Sequence, residues 1–309
     1  MSTISKRSEI VFLYDAKQCN PNGDPMDANR PRIDEETGKC LVTDVRLKRT
    51  IRDHLFDKGY NGKEENKDIF IRDEDGKPVT GTQRAKSYKD KSDFIRKYID
   101  VRLFGAVSAP KSDKKKKKEN EAEDEAETTD TNKTFHLTGP VQFGMGKSLN
   151  IVKENFIKGT GAFTTSETST QRTFREEYNI TYGLIGFHGV INENAAKHTN
   201  LLDEDVEELI DGMWNGTKNL LTRSKKGHMP RLLIKIDYSE KGFFIGDLIE
   251  LLSLKWNEEM KEEEVSDISD FTIETEKLNT KIEKYLDKIE KITVIQDERV
   301  KLSAPIYEK

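Results

Sequence analysis

Four cations fall within seven positions of one stretch: Arg46, Lys48, Arg49 and Arg52. Spacings of three and four set them side by side on a helix. Charge and forked donors at that density suit phosphates, which need no base-edge chemistry. The same residues would also serve as a solvated face neutralised by Asp44 and Asp53. Just upstream, NPNGDP (20–25) forces tight turns. Its backbone N–H groups could cradle an anion, with Asn20 and Asn22 shaping the loop, or the segment could simply reverse the chain. Asp15, Asp24 and Asp27 cluster around it. Paired carboxylates could hold Mg²⁺ for phosphodiester cleavage, or they could be turn residues.

Two further basic strings follow. GMGKS (144–148) is not a P-loop, because that motif places a glycine five residues before its Gly-Lys-Ser and Val141 stands there. Lys147 and Ser148 are left as phosphate contacts at a strand end or as plain surface. LLTRSKKGHMPR (220–231) carries Arg223, Lys225, Lys226 and Arg231, close in sequence to Trp214 and His228. It reads as a basic turn beside rings on which a base could stack, or as ordinary surface. The five histidines are scattered without metal-ligand spacing, and no nucleophile signature is present. With Cys19 and Cys40 as the two cysteines, neither a disulfide scaffold nor a cysteine metal cluster can form. No catalytic residue, metal or cofactor is expected.

The elements that must position these residues follow from periodicity. EIVFLY (9–14) reads as a buried strand. A long turn-rich connection leads to a helix begun by Thr43 or Asp44, with Leu47, Ile51 and Leu55 inward and Gly59 as its stop. Residues 93–107 read as a short helix running into LFGAV. Beyond them, 135–152 is strand-like, 158–173 is a polar hairpin or loop, and 179–192 alternates as a strand. Asp203 to Trp214 forms a second amphipathic helix. RLLIKIDY (231–238) and 242–254 read as a closing pair of strands, and 251–309 as a charged, helical extension in which VIQDERVKL can add an edge strand. Strand, helix, strands, helix and strand make an α+β plan compatible with a ferredoxin-like βαββαβ core bearing insertions.

The chain has 309 residues with 34% hydrophobic and 35% charged residues and a mean hydropathy of -0.79. It can bury a core while leaving much solvated surface. No apolar run approaches the roughly 20 residues of a membrane helix, so no membrane contact and a cytoplasmic location are expected. Charge is segregated under a net of -5. Residues 1–110 hold 22 bases and 19 acids, and 212–238 hold six bases and one acid. By contrast, 200–211 hold six acids and no base, and 239–299 hold nine bases and 17 acids. The segment 111–133, five lysines followed by an acidic block, cannot offset its ordering entropy and reads as a disordered loop.

The string EIVFLYDAKQCNPNGDPMDANRPRIDEETGKCLVTDVRLKRTIRDHL, followed by TGPVQFGMGKSLNIV, ITYGLIGFHGVI and WNGTKNLLTRSKKGHMPRLLIKIDY, resembles the CRISPR-associated Cas-seven family. Its Csh-two/Csd-two branch, of type I-B kind, is the nearest likeness, covering most of 8–250. The resemblance implies a single elaborated RNA-recognition-like palm over 1–309 with fingers, web and thumb. A fingers-type insertion is expected at 60–135 and a thumb-like hairpin at 148–176. It implies a non-catalytic backbone subunit of a Cascade complex, polymerising head to tail along the CRISPR RNA and presenting it to target DNA beside other Cascade subunits. By the match, Asn20, Asn22, Arg46, Lys48, Arg49, Arg52, Lys147 and Ser148 become RNA contacts. Arg223, Lys225 and Lys226 are carried as further contacts. Met145, Phe156 and Phe163 become thumb wedges. Relatives often carry a basic string where this chain has TFREEY (173–178), which leaves Arg172 and Arg175 as the candidates there. Two other readings remain: a type III-like metal-dependent ribonuclease using Asp24 or Asp27, and a protein–protein adaptor.

Overall fold

The structure, a computed structural model, describes residues 3–74, 76–109, 133–164, 172–256 and 259–309, with side chains at 160–164 and 172–175 left outside that description. It is an α+β protein with one large antiparallel sheet and, among the described residues, seven α-helices. The charged segment 111–133 lies outside the described residues apart from Lys133.

The first strand, β1 (Ser8–Cys19), is buried through its first nine residues, which is why its sequence is a continuous apolar run rather than an alternation. The two-residue strands β2 (Gly23–Asp24) and β3 (Arg30–Pro31) pair inside the long connection, and β4 (Lys39–Val42) follows. Helix α1 (Asp44–Asp57) starts where the Thr43 hydroxyl accepts the Arg46 N–H at 3.3 Å. Leu47, Ile51 and Leu55 are buried, as their spacing of four predicts. Next come α2 (Gly81–Arg84), α3 (Lys91–Lys97), α4 (Ile99–Phe104), β5 (Gly105–Ser108), β6 (Phe135–Thr138), β7 (Val141–Phe143) and β8 (Gly146–Ile151). The helix predicted over 93–107 is interrupted at Tyr98, whose backbone is extended.

A long hairpin, β9 (Glu154–Thr164) and β10 (Arg172–Ile191), leads to α5 (Glu193–Thr199), α6 (Asp203–Lys218) and β11 (His228–Tyr238). The chain closes with β12 (Ser253–Trp256), β13 (Phe271–Glu274), α7 (Glu276–Lys284) and β14 (Ile289–Gln296).

In the large sheet the order is β14-β11-β1-β10-β8-β4, with β7 and β9 also paired to β10. Strands β1 and β8, on either side of α1 in the chain, are separated by β10, and α6 links β10 to β11. That is the split βαββαβ arrangement, extended at its edges by β14 and β4.

The chain divides into two compact units. The smaller holds Met1–Ser5, Arg52–Gln142 and Ile191–Ile210. Its core is aromatic: Phe70, Tyr88, Phe94 and Tyr98 meet edge to face or tilted, with Phe70 and Phe94 at 4.7 Å. Two buried ion pairs lie there, Arg52–Asp100 at 2.9 Å and a bidentate Arg102–Asp205 at 2.8 Å. The larger unit holds Lys6–Ile51, Phe143–Val190 and Asp211–Lys309. Its core includes Leu13, Tyr182, Leu184, Leu232, Ile234, Ile236, Ile273 and Ile292. Within it α6 lies close on α1: a Cβ at Gly212 would sit 2.9 Å from Ile51 Cγ2.

The C-terminal region departs from the sequence reading. Residues 242–254 do not pair with β11, whose neighbours are β1 and β14; a loop precedes a short 3₁₀ turn at Leu248–Leu251, and β12 pairs with β13. The physical reason is Glu9. Its fully buried carboxylate accepts the backbone N–H groups of Ile245 at 2.8 Å and Gly246 at 3.0 Å, and Gly242, Gly246 and Asp247 take positive φ, which a strand cannot. Among the described residues of the helical extension predicted over 251–309 there is one α-helix, of nine residues, and most of the remaining regular structure is strand; the edge strand β14 overlaps the predicted VIQDERVKL only at 294–296. Among the described residues no helix is long and apolar enough to cross a membrane.

Candidate nucleic-acid interface

Within the larger unit the NPNGDP loop is clipped at two points. Asn20 is 2% exposed; its backbone N–H donates to Ser224 O at 2.9 Å, and its Nδ2 donates to Asn29 O at 2.7 Å. The Lys225 ammonium donates to the Asn20 carbonyl. Asn22 Oδ1 accepts both the backbone N–H and the hydroxyl of Thr43 at 2.9 Å each, fastening the loop to the start of α1. The turn 222–228 lies hard against the end of β1: Lys17 N–H donates to Gly227 O at 3.0 Å, and a Cβ at Gly227 would sit 1.9 Å from Lys17 O. Only glycine allows that approach.

These clips gather a basic cluster from distant parts of the chain. Burial pushes the Lys225 ammonium down to about 8, and the Arg46 charge pushes the same way. Burial, then Lys225 and Arg46, hold the His228 imidazole neutral, with its pKa down to about 3. Burial raises both thiols, Cys19 and Cys40, to about 12, so they stay uncharged. Two cations therefore repel each other in a partly dry setting lined by neutral groups. An anion placed beside them would relieve that repulsion.

The sequence-predicted residues divide by placement. Arg46 lies in this cluster, with its Nη2 also donating to Thr50 Oγ1 at 3.0 Å, and Arg49 is exposed on α1. Lys48 is held by Asp44 at 2.9 Å. Arg52 does not share the outward basic face that helical spacing predicts: it is 9% exposed and its partner is Asp100. Ser148 is also turned inward, 1% exposed, with its hydroxyl donating to Asn150 O at 2.6 Å and accepting from Cys40 N–H at 2.9 Å. Alternation along β8 places Lys147, its neighbour, on the exposed face. Lys226 is exposed, and Arg223 pairs with Glu177 at 2.9 Å. Met145 is 52% exposed.

Around Phe156, offered from sequence as a thumb wedge, the base of the β9–β10 hairpin gathers partners that the sequence reading did not name. Register sets Tyr178 opposite Phe156, and their rings are 4.8 Å apart. The Arg30 guanidinium lies 5.2 Å from the Tyr178 ring and forks onto Glu154 at 2.6 and 3.1 Å. Lys158 Nζ lies 5.3 Å from the Phe156 ring, which is 45% exposed. Lysine, two rings and arginine form a stacking surface of the kind that accepts a base regardless of its identity. The alternation of Phe156 and Lys158 was the one local signal for it. The side chains of Phe163, Arg172 and Arg175 lie outside the described residues, although their backbones belong to β9 and β10.

Between the hairpin base, the NPNGDP loop and the basic turn is a cavity of about 360 Å³, lined by Asn20, Ala28, Asn29, Tyr178, Thr222 and Arg223 among others. The carboxylates near it serve local contacts. Asp24 pairs with Arg32 at 3.0 Å and accepts the Met26 N–H at 3.0 Å, and Asp27 lies 3.8 Å from Arg30. Asp15 is buried on Arg231 at 2.8 Å. Among the described residues no group of three His, Cys, Asp or Glu side chains could hold a metal ion.

Residues 6–276 match the family model described as CRISPR-associated protein Cas7. A CRISPR-associated protein Cas7 of Haloferax volcanii is 36% identical over 321 residues, covering 98% of this chain and 90% of that protein. Two solved structures are similar at low identity. A chain described as CRISPR RNA-guided surveillance complex covers 82% of this chain and 77% of its own length at 14% identity, with a TM-score of 0.44. Another, described as CRISPR RNA-guided surveillance complex, pre-nicking, covers 97% and 96% at 10% identity, with a TM-score of 0.49.

Proposed function

This chain belongs to the family of CRISPR-associated protein Cas7, and from that premise we propose that it is a non-catalytic, CRISPR-RNA-binding backbone subunit of a Cascade-type surveillance complex, of type I-B kind. Copies bind head to tail along the RNA, beside other Cascade subunits in the cytoplasm, and present it for pairing with target DNA. The observation that carries this reading is the pairing of Arg46 with Lys225, a partly buried ammonium that lies in the field of Arg46 and is fastened to the NPNGDP loop through the Asn20 carbonyl. Arg49, Lys147 and Lys226 extend the positive surface, and the Phe156–Tyr178 pair supplies stacking. Phosphate contact plus stacking holds a strand without reading its bases.

The test is a native gel shift with a labelled mixed-sequence RNA of about 35 nucleotides, with and without Mg²⁺, run alongside a denaturing gel. A ladder of shifted bands with intact RNA is expected, and affinity should fall by about 0.7 log unit per tenfold rise in salt for each phosphate neutralised. Metal-dependent fragments would replace the backbone reading with a ribonuclease one. Assembly without RNA, with little salt dependence, would favour a protein adaptor.

A further inference from the structure

Asn20 holds a buried acceptor with nothing to accept. Its side chain is almost wholly inaccessible, and its Oδ1 has no hydrogen-bond partner among the described residues. The amide orientation is fixed, because Nδ2 donates to Asn29 O at 2.7 Å and a flip would set oxygen against oxygen. Buried polar atoms are nearly always paired, so an orphan beside a cavity marks a place that a ligand completes. Asn20 lines the cavity of about 360 Å³ together with Asn29, Tyr178, Thr222, Arg223 and the carboxylates Glu176 and Glu177, which pair with Lys158 at 4.0 Å and Arg223 at 2.9 Å.

The chemistry of the missing partner follows from the acceptor. A phosphodiester offers only acceptor oxygens, so it cannot satisfy Asn20 Oδ1. On a nucleic-acid strand the donors are base N–H groups and the ribose 2′-hydroxyl. Base N–H groups change with sequence, whereas the hydroxyl recurs on every ribonucleotide and suits the sequence-independent grip proposed above. We infer that Asn20 Oδ1 accepts a hydrogen bond from a ribose 2′-hydroxyl seated in this cavity, making the site selective for RNA over DNA. The inference rests on the backbone reading and adds to it a discriminating residue: the cations hold any strand, and Asn20 distinguishes its sugar.

The experiment compares one mixed sequence of about 35 nucleotides as all-ribose, all-2′-fluoro and all-deoxy strands binding to the full chain, read by fluorescence anisotropy over a salt series. Fluorine removes the hydroxyl donor while keeping the RNA-like sugar pucker and every phosphate. The 2′-fluoro strand should bind about tenfold more weakly than the ribose strand, one hydrogen bond's worth, with the same salt slope. In Asn20→Ala the two strands should bind alike, and because the readout is a ratio, any general loosening of the loop cancels. Equal binding of ribose and 2′-fluoro strands to the unaltered chain overturns the inference while leaving the backbone reading intact. Retention of the preference by Asn20→Ala also overturns it. Failure of all three strands to bind overturns both readings.

Discussion

Lys225 donates its ammonium to the carbonyl of Asn20 while sitting in the field of Arg46, so one lysine both fastens a loop and charges the surface beside it. Burial and Arg46 lower its pKa to about 8. In the unfolded chain it would titrate near the ordinary lysine value, so between about pH 8 and 10.5 the unfolded state binds more protons, and this group makes stability rise with pH across that window. Phosphate binding has the opposite sign, because it favours the ammonium. RNA affinity at fixed ionic strength should therefore fall as pH rises through about 8. Lys225→Met should bind more weakly at pH 7 and lose that inflection; an unchanged pH profile in the variant would remove Lys225 from the site.

Arg52 and Arg49 lie on the same helix but should answer differently. Arg52→Ala leaves Asp100 buried without its cation, while Asp100 still accepts Phe70 N–H at 2.7 Å. A loss of about 3–5 kcal/mol in chemical denaturation is expected. Arg49→Ala, at an exposed position, should change stability by less than about 0.5 kcal/mol and reduce the salt slope of RNA binding by about one phosphate.

The hairpin-base stack should contribute to affinity independently of salt. Phe156→Ala removes the ring facing Tyr178 at 4.8 Å and should weaken RNA binding by about 1–3 kcal/mol. The logarithmic salt slope should stay that of the unaltered protein, since no phosphate contact is removed. Titration at three salt concentrations separates the two effects.

Gly227 is fixed by contact rather than by φ. Alanine there would press its Cβ against Lys17 O and force the turn off β1, destabilising the fold by about 1–3 kcal/mol. Since the same turn carries Lys225, RNA affinity should fall with stability, whereas Gly59→Ala, which meets no neighbour but strains a φ of +118°, should lower stability while sparing RNA affinity. Thermal melts paired with binding curves check this.

Much of the architecture was written locally. The unbroken apolar run of β1, the fourfold spacing of Leu47, Ile51 and Leu55, and the threonine that caps α1 each follow from rules spanning a few residues, and the structure keeps them. The order of NPNGDP, the LKR helix and the TRSK turn likewise marked the family and the segments that form the basic cluster.

Which face each side chain takes was decided elsewhere in the chain. Arg52 turns inward because Asp100, forty-eight positions away, waits there, and Ser148 does so because Cys40 N–H and Asn150 O need its hydroxyl. Tyr178 meets Phe156 through strand register and Arg30 from the separate β2–β3 pair, and 242–247 is a loop because Glu9 holds its N–H groups. Residue type and spacing therefore determined β1, α1 and the order of the elements of the βαββαβ core, but not the irregular C-terminal region. Only tertiary contact decided which charges face solvent, because a buried charge goes where its partner is, and that partner is remote in sequence.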